Sequence, residues 1–413
     1  MNSNLIITNA RLFTPRGHSA VRGEEMGKIY MTENAVIIAE NGVIVFAGSR
    51  TDAPFIEKEG FSVIDAGGNA VVPGFVDSHT HLIFGGYRPE EFSWRLKGET
   101  YMSIMERGGG IQSTVNATRL ATSEELADKA QWFVDTMSSM GVTTVEAKTG
   151  YGLDTPSELK MLEAIEILAE REKEKINIVA TFLGAHAVPS EYKGRTHEYV
   201  DLIIKEMLPL VKNRARFFDI FTEKNVFEIE DSRRLLTAAQ EAGMKLKLHA
   251  DEIVQLGGAE LAAELNAVSA DHLLHVSDQG IAEMAEKGVV ATLLPLTAFA
   301  LREPYAPARK FIDAGAAVAL ATDLNPGSCF SGSIPLTIAL ACIYMGMTVE
   351  ETLTALTLNG AAALDLARET GSIEIGKQAD ILILQFPDIA SLPYYVGMNC
   401  VRTTIHNGCP LNP

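Results

Sequence analysis

Two histidines separated by one residue, His79 and His81, follow an apolar run that ends at Asp77. Successive side chains of an extended chain point to opposite faces, so both imidazoles lie on the same side. Neutral imidazole is the commonest protein ligand for transition metals. A pair of this kind is also an ordinary polar feature of a strand end. It therefore needs support from the rest of the chain.

Further candidates stand at the ends of other apolar runs. His249, His272 and Asp323 each directly follow such a run, and His186 lies just beyond another. In a barrel of parallel strands the C-terminal ends of all strands meet on one face. The arrangement of the strands therefore decides whether these residues share a site.

The middle of the chain alternates apolar runs with helix signals. Helix starts are signalled by capping boxes at Thr122 and Thr155, the second with proline at the first helical position, and by Asp231 and Thr348. Eight runs that fit buried parallel strands lie near 71–76, 142–147, 176–183, 216–221, 245–249, 267–270, 288–294 and 317–322. This α/β pattern predicts a (β/α)8 TIM-like barrel over 71–370. A doubly wound open sheet is the alternative, but no G-x-G-x-x-G motif follows the first strand.

The two ends of the chain have a different texture. Short β-branched runs separated by turn signals fill residues 1–70, and similar runs fill 371–413. We expect these segments to form one small β-sandwich domain.

In the barrel, the four residues His79, His81, His249 and Asp323 would then form a set of three nitrogens and one oxygen. Such a set suits one Zn²⁺ or iron ion, Fe²⁺ or Fe³⁺, with room for a water.

Composition limits the partners. The 35 basic and 53 acidic residues give a net charge of −18, which disfavours nucleic acid and anionic membrane surfaces. No apolar run is long enough for a membrane span, and no secretory signal is visible. The four cysteines have no metal-site or disulfide spacing. We expect a cytoplasmic protein with free thiols, and an anionic substrate would need a basic residue inside the pocket.

The segment Pro73–His81, together with His249, His272 and Asp323, resembles the amidohydrolase superfamily. The C-terminal segments 371–373 and 376–380 resemble the small β domain of that superfamily. A narrower resemblance, to members that act in histidine degradation, rests on segments 85–88, 146–152, 184–189, 249–252 and 323–328.

This resemblance implies hydrolysis of the cyclic amide of 4-imidazolone-5-propanoate to N-formimino-L-glutamate, by attack of a metal-bound hydroxide on the ring carbonyl. Asp323, as a ligand, and His272, as a neighbour that is not a ligand, would take the proton of the water and stabilise the tetrahedral intermediate. Glu252 would return to the same face on a helical turn and bond the ring N–H or shuttle protons. The alternative is that Glu252 interacts favourably with the helix dipole at a helix N-terminus and has no role in the reaction.

The substrate contacts follow from the same resemblance. Arg88 is the candidate for the propionate, because a guanidinium grips a carboxylate with two parallel bonds. A loop arginine that is merely solvated is the alternative. The other predicted substrate-binding residues are Tyr101, Tyr151, His186, Glu252, Asn325, Gly327 and Ser328. The resemblance also suggests a homodimer.

Two other functions stay open. A one-metal deaminase would act on a neutral base and give Arg88 no role, and a barrel without activity would keep the metal for stability. Two-metal members carry a lysine at the end of the fourth strand. Here the run 216–221 ends without one, Lys224 comes too late and Lys148 lies at the second strand. One metal is therefore expected.

Overall fold

The computed structural model describes residues 3–54, 59–98 and 109–411. Tyr101 lies outside these residues. Within them the chain forms two eight-stranded sheets, one built from both termini and one from the middle of the chain. No helix in the described ranges is long and apolar enough to cross a membrane.

The terminal sheet joins the two ends of the chain. Its strands are β1 (Leu5–Thr14), β2 (Tyr30–Glu40), β3 (Val43–Ser49), β4 (Ser62–Asp65), β5 (Ala70–Pro73), β14 (Ile381–Leu384), β15 (Val401–His406) and β16 (Cys409–Pro410). They follow the order β16-β15-β14-β5-β1-β2-β3, with β4 also paired to β1. The sheet is mixed, because β1 is antiparallel to β2 but parallel to β4 and β5. Some aliphatic side chains of its strands form a small core of their own, and others, such as Val72 and Leu382, join the core of the barrel.

The second sheet is a parallel barrel. Its strands are β6 (Phe75–Asp77), β7 (Val142–Lys148), β8 (Asn177–Ala185), β9 (Phe217–Thr222), β10 (Lys245–Ala250), β11 (Ser269–His272), β12 (Val290–Leu293) and β13 (Ala317–Leu320), which pair in sequence order. The first and last strands meet just beyond their ends, where the His81 N–H donates to the Leu324 carbonyl at 2.8 Å and the Asp323 N–H donates to the His79 carbonyl at 3.0 Å. The predicted barrel is thus confirmed, and its closing bonds join two of the segments that carry candidate ligands.

Helices connect and cover the barrel strands. They are α1 (Pro89–Leu96), α2 (Ile111–Leu120), α3 (Ser123–Ser139), α4 (Thr155–Glu172), α5 (Thr196–Leu202), α6 (Leu208–Val211), α7 (Ile229–Glu241), α8 (Gly258–Glu264), α9 (Asp278–Lys287), α10 (Pro295–Leu301), α11 (Ala308–Asp313), α12 (Ile334–Tyr344), α13 (Val349–Leu356), α14 (Leu358–Ala363) and α15 (Ser391–Tyr394). A π turn, Ile203–Met207, joins α5 to α6, and 3₁₀ turns lie at Gly23–Gly27 and Ser190–Tyr192. Helices α1, α2 and α3 all lie in the long excursion between β6 and β7.

Two of the four predicted helix starts have the expected capping chemistry. Thr122 and Thr348 each accept a bond from the backbone of the glutamate three residues later, which reaches back to the cap. The other two differ. Asp154, not Thr155, caps α4 through the Ser157 N–H, since its carboxylate stands one residue earlier. Asp231 lies within α7, where an acidic residue in the first turn favours the helix dipole equally well.

The run 71–76, predicted as one strand, is two strands separated at Gly74. Strand β5 pairs with β1 and β14 in the terminal sheet, whereas β6 pairs with β7 in the barrel. A Cβ at Gly74 would lie only 2.2 Å from Oγ1 of Thr143, so the chain crosses between sheets where a side chain has no room. The terminal sheet therefore extends to Pro73.

Candidate metal centre and substrate pocket

Four buried side chains converge at the C-terminal end of the barrel. His79 and His81 follow β6, His249 lies in β10, and Asp323 follows β13. The Nε2 atoms of His81 and His249 are 3.3 Å apart. Oδ1 of Asp323 lies 3.5 Å from Nε2 of His81 and 3.6 Å from Nε2 of His79. Ligands at about 2.1 Å from a tetrahedral ion are about 3.4 Å from one another, so these spacings fit a metal ion between them.

Hydrogen bonds leave the correct nitrogens of two histidines available as ligands. Nδ1 of His79 lies 2.6 Å from Oδ2 of Asp271, and Nδ1 of His249 lies 3.2 Å from Oδ1 of Asp219. A carboxylate on Nδ1 holds the proton there and turns the lone pair of Nε2 outward. Nε2 of His79 and Oδ1 of Asp323 are buried without a hydrogen-bond partner. Such unsatisfied atoms are rare in folded proteins, and a bound cation would satisfy both.

Burial also determines the protonation of these ligands. It lowers the pKa of both His79 and His81 well below the usual value, so both are neutral. For His249, burial acts in the same direction, but the Asp219 carboxylate outweighs it and raises the pKa overall. Burial raises the pKa of Asp323 to about 6. The set is therefore mainly neutral imidazole with one carboxylate.

The sequence alone did not predict a group of buried charged residues that lies beneath the centre. It comprises Glu146, Lys148, Asp219, Lys247 and Asp271, all fully buried. The Lys148 ammonium lies 2.8 Å from Oε2 of Glu146 and 2.7 Å from Oδ2 of Asp219. The Lys247 ammonium donates to Oε2 of Glu146 at 3.1 Å and lies 3.6 Å from Oδ2 of Asp271. The signal in the sequence was the presence of charged residues inside otherwise apolar strands, which is costly unless they pair.

This charge group accounts for the lysines considered for a second metal. Lys148 already forms ion pairs with the two carboxylates beside it, Glu146 and Asp219. The strand β9 contributes Asp219 instead of a lysine, and Lys224 lies exposed beyond its end. Among the described residues, β9 thus ends without a lysine, and one metal stays the prediction.

His272 and Glu252 lie together next to the metal centre. Nε2 of His272 is 3.5 Å from Oε2 of Glu252. Burial lowers the pKa of His272 well below its usual value. Burial, and then the nearby Asp323 charge, raise the pKa of Glu252 to about 8. The two groups face each other as a neutral imidazole and a carboxyl group that retains its proton at neutral pH.

The backbone around Glu252 differs from both sequence expectations. Residues 251–254 form bends, and α8 begins only at Gly258, so Glu252 neither follows a helical turn nor stands at a helix N-terminus. Instead, the buried Glu223 carboxylate accepts the Ile253 N–H at 2.8 Å. The loop geometry that brings Glu252 into the pocket thus depends on a residue of the preceding strand end.

The cluster opens into a cavity of about 350 Å³. The sequence-predicted residues that line it, besides the centre, are Arg88, Tyr151, His186, Glu252, His272, Asn325, Gly327 and Ser328. The structure thus brings together every predicted site residue within the described ranges. Tyr101 falls outside them.

The neighbours of these pocket residues show what each can do. The His186 ring stacks on the His81 ring with centroids 4.9 Å apart, and its Nδ1 lies 3.0 Å from the Gly150 carbonyl. Tyr151 is buried, which raises its pKa and keeps its hydroxyl protonated. Oδ1 of Asn325 accepts the Ser328 N–H at 2.7 Å, so this amide holds the loop in shape as well as facing the cavity.

Arg88 is not a solvated loop arginine. Only 8% of its side chain is exposed, and its Nε donates to the Pro326 carbonyl at 3.2 Å. Nη1 lies 3.5 Å from Oε2 of Glu91. Because the chain is strongly acidic, an anionic substrate needs a basic residue inside the pocket. The Arg88 guanidinium, which is held inside the cavity, provides that residue.

Comparisons with known proteins agree with this geometry. The sequence profile of the Amidohydrolase family matches residues 70–410. The chain is 61% identical to an imidazolonepropionase of Bacteroides thetaiotaomicron over 99% of both chains. It is 54% identical to an imidazolonepropionase of Clostridium tetani, covering 98% of this chain and 97% of that one.

Solved structures show the same fold at low sequence identity. A 5-methylcytosine deaminase of Klebsiella pneumoniae superposes with a TM-score of 0.74 at 18% identity, over 98% of this chain and 97% of that chain. A guanine deaminase of C. acetobutylicum gives a TM-score of 0.69 at 15% identity, over 99% and 100%. At this distance the match concerns the fold alone. From the family profile and the close relatives, we conclude that the chain is a metal-dependent hydrolase that belongs to the amidohydrolase family and, within it, to the imidazolonepropionases.

Proposed function

We propose that this protein hydrolyses the ring amide of 4-imidazolone-5-propanoate and releases N-formimino-L-glutamate. The observation that carries the proposal is the buried Arg88 guanidinium in the same cavity as the four-residue metal centre. It offers a partner for a carboxylate beside a site suited to hydrolysis. The names of the close relatives supply the particular substrate.

One metal ion, zinc or iron, belongs to the proposal. His79, His81, His249 and Asp323 would hold it, since their free atoms have the spacing of a tetrahedral site. When bound, such an ion supplies Lewis acidity and lowers the pKa of water. Three imidazoles and one carboxylate suit both metals.

The protein residues manage the protons of the reaction. Water adds to the ring carbonyl carbon, the bond from this carbon to the ring nitrogen breaks, and that nitrogen gains a proton. Asp323 and His272 take the proton of the attacking water, because both line the cavity and a carboxylate and a neutral imidazole each offer an unshared electron pair. Glu252, which keeps its proton at neutral pH, donates that proton to the departing nitrogen and regains one from His272, whose Nε2 lies 3.5 Å from Oε2 of Glu252.

The cavity residues orient the substrate. Arg88 binds the propionate, and Tyr101, Tyr151 and His186 hold the carboxylate or the ring. Asn325, Gly327, Ser328 and Glu252 complete the polar contacts. Among these, His186 has the clearest geometry, because its Nδ1 bond to the Gly150 carbonyl leaves Nε2 for the substrate.

The test is turnover of freshly made 4-imidazolone-5-propanoate, followed by the loss of its ultraviolet absorbance, with metal analysis of the same sample. We expect rapid loss with about one metal ion per chain, abolished by chelation. Release of ammonia from cytosine or guanine by metal-loaded protein, without loss of the imidazolone, would overturn the proposal in favour of a deaminase. Metal-loaded protein inactive on all three would favour the barrel without activity.

The proposal also covers the cellular location, the oligomeric state and the partners of the enzyme. We place it in the cytoplasm as a homodimer that acts on a small anionic molecule and binds neither nucleic acid nor membrane. The net charge of −18 supports the last two points, because it repels polyanions. Sedimentation equilibrium measures the oligomeric state directly.

A further inference from the structure

A second arginine lies in the same cavity wall as Arg88. Arg95 is near the end of α1, is partly buried and lines the cavity that contains the metal centre. It is not among the residues that the sequence suggested for the substrate. Its position therefore needs an explanation of its own.

Arg95 is held by one polar contact and two aromatic rings. Its Nη2 donates to the Gly327 carbonyl at 2.9 Å. Its Cζ lies 5.8 Å from the ring centroid of Phe92 and 5.6 Å from that of Phe330. The contact with Gly327 uses one of the five N–H donors of the guanidinium. A planar cation packed on rings in this way is well oriented for a further partner.

The two arginines bind adjacent carbonyls of one loop. Arg88 donates to Pro326 and Arg95 to Gly327. A Cβ on Gly327 would lie 2.3 Å from Nη2 of Arg88, so the Arg88 guanidinium rests directly against this glycine. The missing side chain thus allows both guanidinium groups to approach the same short stretch of backbone.

The local charges do not balance. Glu91 lies beside Arg88 and also accepts the Gly110 N–H at 3.1 Å, so it offsets one of the two positive charges. Among these three residues one positive charge is left over, inside a protein of net charge −18. Burial and the nearby Arg88 charge both lower the pKa of Arg95. One carboxylate bound between the arginines would relieve this repulsion.

We propose that Arg95 is a second carboxylate-binding residue, which together with Arg88 forms a two-guanidinium subsite for the propionate of the substrate. The identity of that carboxylate rests on the proposed function. The subsite itself rests on the two guanidinium groups, the shared loop and the unbalanced charge. It explains how a strongly acidic enzyme selects an anion over a neutral ring of the same shape.

The experiment compares two probes that differ only in charge, 3-(imidazol-4-yl)propanoate and its neutral amide. Calorimetry measures the binding of both to the metal-loaded wild type and to Arg95→Met, which keeps the packing against Phe92 and Phe330. We expect Arg95→Met to bind the carboxylate at least about tenfold more weakly, because it loses a charge-assisted hydrogen bond. Binding of the amide should change less than twofold.

Two further variants separate the subsite from general effects. Lys97→Gln removes one positive charge from an exposed position at the end of the same helix and should leave both affinities unchanged. Arg95→Lys keeps the charge without the fork and should lose part of the preference for the carboxylate. It also serves as the test if Arg95→Met does not fold.

The outcomes distinguish the subsite from the proposed function. Unchanged carboxylate binding in Arg95→Met, or an equal loss for carboxylate and amide, overturns the subsite. Failure of the wild type to turn over 4-imidazolone-5-propanoate overturns the proposed function. In that second case, a preference for the carboxylate probe that Arg95→Met abolishes would still support the subsite.

Discussion

At the scale of single residues, the centre depends on protonation states that burial imposes. His79, His81 and His272 are kept neutral because charged imidazolium is poorly solvated inside the barrel. Glu252 keeps its proton for the same reason. A neutral imidazole can act as a ligand or base and a protonated carboxyl group as an acid. Burial thus decides which of these side chains can accept a proton and which can donate one.

His272→Ala should retain the metal and lose turnover. The residue lies beside the centre, but the spacing of a tetrahedral site is already provided by His79, His81, His249 and Asp323. Removal of a general acid–base group typically costs 10²- to 10⁴-fold in kcat. The check is kcat together with metal content by mass spectrometry. Loss of metal in parallel with activity would mean that His272 is a ligand.

Compared with the metal-free wild type, the metal-free Glu252→Gln variant should become more stable as the pH rises. The folded-state pKa of about 8 lies above the usual 4.5, so the folded protein retains a proton that the unfolded chain releases. Wild-type stability therefore falls between about pH 4.5 and 8, and glutamine, which does not titrate, removes this term. We expect the difference in free energy of unfolding to grow by a few kcal/mol over this range, at 1.36 kcal/mol per pKa unit. Denaturant titrations giving the same difference at pH 5 and pH 8 would contradict the shifted pKa.

At the scale of elements, the strands do more than present ligands at their ends. Strands β7, β9, β10 and β11 each send at least one charged side chain into the barrel interior beneath the centre. Asp271 from β11 orients His79 after β6, and Asp219 from β9 orients His249 on β10. Each of these bonds joins two different strands. The ligand geometry is therefore a property of the assembled barrel.

Asp271→Asn should weaken metal binding without removing a ligand. An amide can accept from His79 Nδ1 only weakly, and its loss of charge also leaves Lys247 with one carboxylate fewer. Replacement of such supporting groups typically lowers metal affinity 10- to 100-fold. Competition with a chelator measures the affinity. Asp278→Asn, at the exposed start of α9, is the matched control and should leave it unchanged.

Gly74→Ala should destabilise the junction between the two sheets. The new Cβ would lie 2.2 Å from Oγ1 and 2.9 Å from Cβ of Thr143, so one of the strands must shift. Overpacking of this kind typically costs about 1–3 kcal/mol. Adding Thr143→Ala removes the nearest atoms and should restore part of the loss in a denaturant titration. No recovery in the double variant would place the strain elsewhere.

At the scale of the whole molecule, the terminal sheet has a small core of its own, while alternate residues of its strands, such as Val72 and Leu382, belong to the core of the barrel. The metal centre lies at the C-terminal end of the barrel, where the bonds between residues 79–81 and 323–324 close the ring of strands. A ligand set that takes residues from both sides of this closure links metal binding to the integrity of the barrel. The same end of the barrel holds Arg88 and Arg95, so the proposed carboxylate subsite and the candidate metal ligands face one cavity.

Removal of the metal should lower the thermal stability of the enzyme as well as abolish turnover. A ligand that binds only the folded state stabilises it by RT ln(1 + [L]/Kd), about 4 kcal/mol at a thousandfold excess over Kd. Scanning calorimetry before and after chelation measures the change. Restoration of both activity and Tm by one equivalent of metal is expected. Recovery of Tm without activity would separate the structural from the chemical role of the ion.

The sequence by itself predicted the barrel, which the structure confirms, because strands and helices leave local signals. It also predicted the four candidate metal ligands and, with the family resemblance, most of the residues that line the cavity. Apolar runs with capped helices between them indicate parallel strands, and ligands at strand ends converge by the geometry of the fold. The strand break at Gly74 was missed, since a continuous apolar run carries no mark of which sheet each half joins.

Only the tertiary structure decided which distant side chains meet. Lys148 and Asp219 are 71 residues apart in sequence, and Arg95 reaches a carbonyl 232 residues away. The capping of α4, the bends around Glu252 and the buried charges depend on such encounters. Hydrogen bonds and ion pairs act over a few ångströms, and no pattern along one chain specifies distances of that kind between remote segments.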